Sequence, residues 1–168
     1  GQCYNSLMHE TNHTQRFQET AEEQEARFEG LKKRLNSSSK YLQSNDMRVT
    51  ELRRGYARVE MIIDEHILNI HGFVHGGALF SLADTAAGSA SFTTGRDSVT
   101  LSASINYLSP GRGGKLIAIG SEVKAGRTTG VYEVFICNDR EDLLCRATIT
   151  VFFLDGDSYL QENRHRSH

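Results

Sequence analysis

The chain has 168 residues, with 19 basic and 21 acidic side chains and a net charge of −2. That balance carries no electrostatic footprint for nucleic acid, and no run of about 20 apolar residues free of charge offers a membrane span. Cys3, Cys137 and Cys145 form neither a CxxC pair nor an even disulfide framework, and no basic segment followed by an apolar one suggests a secretory signal. A reducing, cytoplasmic setting is expected.

Residues 1–47 hold 6 of the 40 Leu, Ile, Val and Phe residues. The sequence therefore divides into a helical extension and linker (1–47), a core-bearing domain (48–156) and a polar tail (157–168). In the extension, Phe17, Ala21, Gln24, Phe28, Leu31 and Leu35 recur at steps of three and four, which predicts one helix over 14–36. Its first half is acidic and its second half basic, as the helix dipole favours. A short coiled coil or partner-binding arm is one reading. A helix docked on the main domain is the other, favoured because fewer than three heptads carry the pattern. The Asn36-Ser37-Ser38-Ser39 run is expected to end the helix and act as a linker.

From residue 48 the period becomes two. Ala57, Val59, Met61 and Ile63 alternate with Tyr56, Arg58 and Glu60, which predicts a half-buried strand. Residues 76–92 are small or apolar nearly all round, which predicts a buried helix. Its small residues (Ala83, Ala86, Ala87, Gly88, Ala90) would let a sheet approach closely. Four further strands follow, over 98–108, 115–125, 128–138 and 143–154. In the first of these Val99, Leu101, Ala103, Ile105 and Tyr107 should share one face, and Ser98, Thr100, Ser102, Ser104 and Asn106 the other. The last two strands read as a hairpin around residues 138–142, in which Cys137 and Cys145 would face each other as packed free thiols. The plan is α+β: one antiparallel sheet curled around one helix, preceded by an extra N-terminal helix.

The chemistry concentrates in Asn69-Ile70-His71-Gly72-Phe73-Val74-His75-Gly76-Gly77, followed by Asp84. Two glycines at a helix start leave backbone N–H groups unobstructed at the positive end of the helix dipole. That is a site for an anion or a polarised carbonyl oxygen. Asp84 stands alone in an otherwise uncharged helix. Burial of a lone carboxylate costs several kcal/mol and raises its pKa, so it is either a hydrogen-bonded structural group or a base or nucleophile.

Asn69-x-x-Gly72-x-x-His75-Gly76-Gly77, with Asp84 nine residues after His75, resembles the hotdog-fold acyl-CoA thioesterases of the phenylacetic-acid-degradation (PaaI-like) type. The resemblance runs over 48–154 and includes Tyr107-Leu108-Ser109-Pro110 and Gly126-Arg127-Thr128. It implies a hotdog fold and hydrolysis of an acyl-CoA to free acid and CoA, with no metal or cofactor. Asp84 would activate water or attack the thioester directly. The Gly76 N–H, with the His75 turn, would polarise the carbonyl. Asn69 would orient substrate or water, and Thr100, where the family often has Ser, would supply a hydroxyl partner for the water. Gly77, Phe73 and Phe80 would line the substrate, and Arg127 would contact the pantetheine–phosphate arm. The family builds its sites between two subunits, the loop from one and the carboxylate from the other, so a homodimer or a tetramer of paired dimers is implied.

Other readings of these residues are milder. Asn69 is also a turn former, and Gly76 and Gly77 also permit tight packing. His71 and His75, near His66, suggest zinc, but Gly72 and Gly76 argue against a helix presenting both rings. An acyl-CoA-binding sensor with the same fold is the alternative function. DNA binding is disfavoured because the extension supplies one helix where a helix-turn-helix needs two. A dehydratase would need a differently placed His. An aryl-acetyl group and a short or medium aliphatic chain both remain open as the acyl group.

Overall fold

A computed structural model describes residues 19–154. Phe17, the start of the expected helix before residue 19, Cys3 and the tail 157–168 lie outside the described residues.

Helix α1 (Ala21–Ser38) begins later than the periodicity suggests, because Thr20 closes a capping box with Glu23: the Thr20 hydroxyl accepts from the Glu23 N–H, and the Glu23 carboxylate accepts from the Thr20 N–H. Phe28 is buried, and Leu31 and Leu35 pack partly against the core. The helix is docked, as the shorter-range reading of its pattern expected. The serine run is not a linker. Asn36, Ser37 and Ser38 stay in α1, and Ser39 then caps a second helix, α2 (Lys40–Ser44). A tertiary contact overrides local propensity here: the Asn36 amide is tied to the Val49 backbone through two hydrogen bonds of 2.8 Å.

Two strands, not one, precede the central helix: β1 (Met47–Arg53) and β2 (Tyr56–Ile62). The sequence hides β1 because a bulge between Val49 and Glu51 breaks its alternation, so that Met47, Val49 and Leu52 point inward. Central helix α3 (Gly76–Phe92) occupies the expected residues. It is followed by β3 (Ser98–Tyr107), β4 (Lys115–Ala125), β5 (Thr129–Asn138) and β6 (Leu143–Phe153). The sheet order is β1-β2-β4-β5-β6-β3, with every neighbouring pair antiparallel. Leu79, Leu82, Ala83, Ala86, Ala87 and Ala90 face the inner side of the sheet. Gly120 on β4 lies so close that a Cβ there would stand 2.8 Å from the Ala86 carbonyl oxygen. The small residues read from the sequence are what permit this approach.

Two expectations need correction. Helix α3 is not buried all round: Gly77 and Phe80 are exposed and Asp84 is half-buried, forming one stripe on the side of β3. The apolar and polar faces of β3 also do not stay separate. A register shift between Thr100 and Ser102 makes Leu101 a bulge, so Ser98 and Thr100 share the helix-facing side with Ala103, Ile105 and Tyr107. A second register shift, between Ile136 and Cys137, places Cys145 opposite Ile136 and Cys137 opposite Leu143. Both thiols are free. Burial pushes Cys145 up to about 11, and burial together with Glu141 and Asp142 raises Cys137.

Candidate active site

The loop before α3 is held by Asn69. Its side-chain oxygen accepts from the N–H groups of His71 (2.9 Å) and Phe73 (3.1 Å), and its own N–H donates to the Phe73 carbonyl at 2.7 Å. Gly72 takes φ +75°, a left-handed conformation that favours glycine, and donates back to the Asn69 carbonyl. Asn69 is thus a loop former through its oxygen, while its amide nitrogen takes no part in these contacts. Val74 anchors the other end of the loop by donating to the Gly111 carbonyl at 3.0 Å.

His75 caps α3. Its Nδ1 accepts the Gly77 N–H at 2.8 Å, and its carbonyl accepts from Ala78 and Leu79. A neutral imidazole bonded this way carries its proton on Nε2. The Tyr107 hydroxyl donates to the Gly76 carbonyl at 2.9 Å, and its ring stands 3.3 Å from where a Gly76 Cβ would be. Burial, with an added push from nearby Cys145, raises the Tyr107 phenol, which keeps it protonated as a donor. The Gly76–Gly77 peptide is therefore pinned at both its C=O and its N–H. The Gly76 N–H, first in the helix, has no intrahelical acceptor and no other among the described residues. The sequence marks Tyr107 as the end of a strand and as part of the Tyr107-Leu108-Ser109-Pro110 segment of the resemblance, but assigns it no role at the glycine turn. Its role as a brace on the glycine turn depends on the chain returning antiparallel to α3.

The Thr100 hydroxyl donates to Asp84 Oδ1 at 2.6 Å. The resemblance implies Thr100 as a hydroxyl partner for the water; here its hydroxyl meets the carboxylate itself, and the β3 bulge aims Thr100 at the helix. The expected deep burial of Asp84 is not found: the carboxylate is half-buried, on a stripe of α3 that no other element among the described residues covers. Phe80 shares that stripe at 39% exposure, whereas Phe73 is half-buried under the Arg112 guanidinium, 4.4 Å from its ring centre. Arg127 is exposed in the β4–β5 turn, at the end of the sheet where α3 terminates and away from the glycine turn. Arg96 Nη1 braces that turn by donating to the carbonyls of Gly126 (3.0 Å) and Arg127 (3.1 Å). His71 is exposed, and no group of three or more metal-ligating side chains occurs among the described residues. No described helix is long and apolar enough to cross a membrane.

Comparison with known proteins places this geometry in context. The profile of the thioesterase superfamily matches residues 71–145, which contain the glycine turn, Asp84, Thr100 and Tyr107 but not Asn69. A candidate esterase of Archaeoglobus fulgidus is 34% identical over 130 residues, covering 77% of this chain and 84% of that protein. The acyl-coenzyme A thioesterase PaaI of Escherichia coli is 36% identical over 94 residues, covering 55% of this chain and 67% of its own. The solved PaaI structure superposes with a TM-score of 0.75 at 27% identity, over 78% of this chain and 96% of that one. A Streptococcus mutans protein solved with acetyl-CoA bound gives a TM-score of 0.62 at 38% identity, over 64% of this chain and 88% of that one. Sequence and fold agree: the chain belongs to the thioesterase superfamily and is a hotdog-fold thioester hydrolase of the PaaI-like type.

Proposed function

We propose that the chain hydrolyses acyl-CoA thioesters to free acid and CoA at sites shared between two copies of itself. The observation that carries this reading is the Thr100–Asp84 hydrogen bond of 2.6 Å on a stripe of α3 left open to solvent. Thr100 occupies one carboxylate oxygen and fixes the plane of the group. The other oxygen is left to take a proton from water. The water oxygen then adds to the thioester carbonyl carbon, and negative charge gathers on the carbonyl oxygen, which the Gly76 N–H and the positive end of α3 stabilise. Collapse of that adduct breaks the C–S bond and expels the CoA thiolate, and the proton held by Asp84 is available to it. Direct attack by Asp84 is the variant of this scheme, with an anhydride formed first and then hydrolysed.

Asp84 and Gly76 of one chain cannot serve one carbonyl. They are eight residues apart on a straight helix, about 12 Å at 1.5 Å per residue, whereas base, water and oxyanion donor must meet within hydrogen-bond reach. A second copy supplying the glycine turn resolves this. β3 offers an edge for it, with Val99 and Leu101 exposed and no charged residue along its length. A homodimer, and a tetramer built from two such dimers, follow from this reading. Phe80 would line the acyl pocket beside Asp84, with Phe73 at its rim. Asn69, through its uncommitted amide, would orient substrate or water, and Gly77 would let the thioester approach. Arg127 would meet the pantetheine–phosphate arm. Aryl-acetyl and short or medium acyl groups are the expected substrates, in the cytoplasm. Residues 48–156 are the thioesterase domain, 1–47 its extension and 157–168 its tail.

The test is Asp84→Asn, which keeps the shape and removes the base. Hydrolysis scored by free-thiol release should fall by about 10²–10⁴. Near-wild-type turnover by the folded variant would overturn the assignment.

A further inference from the structure

Beyond the catalytic residues, a cleft of about 420 Å³ opens between the appended helix α1 and the C-terminal end of α3. Three guanidinium side chains line it, from Arg27, Arg34 and Arg96, against the carboxylate of Asp97. Gly30 and Gly95 form part of its wall, and a Cβ at either would meet nothing within 4 Å.

The arginines differ in their commitments. Arg27 pairs with Glu19 at 3.0 Å and reaches the Thr93 carbonyl at 3.5 Å. Arg96 lies over the Phe153 ring at 3.5 Å while it braces the turn that carries Arg127. Neither Arg34 nor Arg96 is paired with a carboxylate among the described residues. The negative end of the α3 dipole is quenched locally. The carbonyls of Ala90, Ser91 and Phe92 accept from the N–H groups of Thr93, Thr94 and Gly95, and Arg27 takes the Thr93 carbonyl. What faces the cleft is therefore the Arg34 guanidinium, free of any ion pair among the described residues, with the partly committed Arg27 and Arg96 beside it and the Asp97 carboxylate opposite, and the planar forks of these guanidinium groups match phosphate oxygens.

We propose that this cleft binds phosphate groups. Two sources share that chemistry: the nucleotide end of the acyl-CoA substrate, and a free phosphate ester. The first is favoured by position. The cleft begins about 12 Å along α3 from Asp84 and is joined through Arg96 to the turn of Arg127, so a substrate whose thioester lies at Asp84 can extend toward it. That part rests on the thioesterase reading. The cleft itself needs α1, which lies outside the segment 71–145 matched to the superfamily.

Arg34→Ala and Arg34→Glu test it in the full chain, since Arg34 is exposed and its side chain makes no ion pair among the described residues. Hydrolysis is measured with one acyl group carried on CoA and on pantetheine, which lacks the nucleotide and its phosphates. Tm is measured with inorganic phosphate and with adenosine 3′,5′-bisphosphate. If the substrate supplies the phosphate, KM for the acyl-CoA rises about threefold to tenfold in Arg34→Ala and further in Arg34→Glu. KM for the acyl-pantetheine and kcat stay constant, and the effect shrinks at high salt. If KM is unmoved but the Tm shift is lost in Arg34→Glu, the cleft holds a free phosphate ester and the proposal stands with that source. Equal KM values and equal Tm shifts in wild type and variants overturn it. The Tm arm needs no turnover, so a chain inert toward acyl-CoA would sink the thioesterase reading without deciding this one.

Discussion

The two edges of the sheet are treated in opposite ways. At β1 the edge is closed. The Asn36 side chain donates to the Val49 carbonyl and accepts from the Val49 N–H, both at 2.8 Å, much as a neighbouring strand would. Lys32 reaches the Thr50 carbonyl at 3.5 Å. At β3 no described element covers the edge, no charge interrupts the strand, and Leu101 is 61% exposed. An uncapped, uncharged edge ten residues long is a template for another strand. The contrast indicates that the extension denies pairing at one side and leaves it available at the other, beside Asp84.

The largest effect should come from spoiling the open edge. Leu101→Asp sets a charge where a second copy would pack. On the proposed shared-site reading it converts a dimer to a folded monomer and cuts hydrolysis by at least about a hundredfold, because the glycine turn of the second copy is lost. Sedimentation velocity beside far-UV circular dichroism checks this, and a fully active monomer would break the shared-site reading. The closed edge should respond in stability instead. Asn36→Ala removes both bonds to Val49 and should cost about 1–3 kcal/mol in denaturant unfolding, with the sedimentation coefficient and the turnover of folded protein unchanged.

The smallest effect is one of pH, on the β2 side of the closed edge. Burial raises the Glu60 carboxyl, but Lys115 at 3.1 Å and Arg58 at 2.9 Å outweigh it, and the group is held below its ordinary 4.5. A carboxylate depressed in the fold adds stability above the unfolded value and loses it as pH falls through the folded one. Glu60→Gln should therefore lower stability at pH 7 by a fraction of a kcal/mol and flatten its decline below pH 4.5. Denaturation midpoints at pH 7 and pH 3.5 read this directly, and an equal loss at both values would exclude the ion pairs as the cause.

The sequence spoke clearly where periodicity ran unbroken. Helix α3 and the hairpin of β5 and β6 lie where small-residue composition and alternation put them. It misled where one extra residue intervened. The bulge in β1 hid a whole strand, the bulge at Leu101 split the faces of β3, and the hairpin register, which pairs Cys145 with Ile136 before the shift at Cys137, parted two thiols expected to face each other. Bulges leave composition untouched and alter only pairing, so a linear pattern cannot report them. The candidate site was legible as chemistry, since a Gly-Gly helix start and a lone acid are unusual features in any sequence. Its braces were not. Tyr107 on Gly76 and Arg96 on the Arg127 turn arise from long-range packing, and neither residue type signals such a role by itself.

Gly120 has a mechanical meaning as well. With the Ala86 carbonyl where a side chain would begin, the spacing between rod and wrapper is fixed at its minimum by a single missing methyl. Asp84 stands two residues before Ala86, and Thr100 meets it from the sheet at 2.6 Å. A spacer at position 120 would tilt the rod and stretch that contact from across the curled sheet, so the alignment of the acid is set by an atom absent from a distant strand.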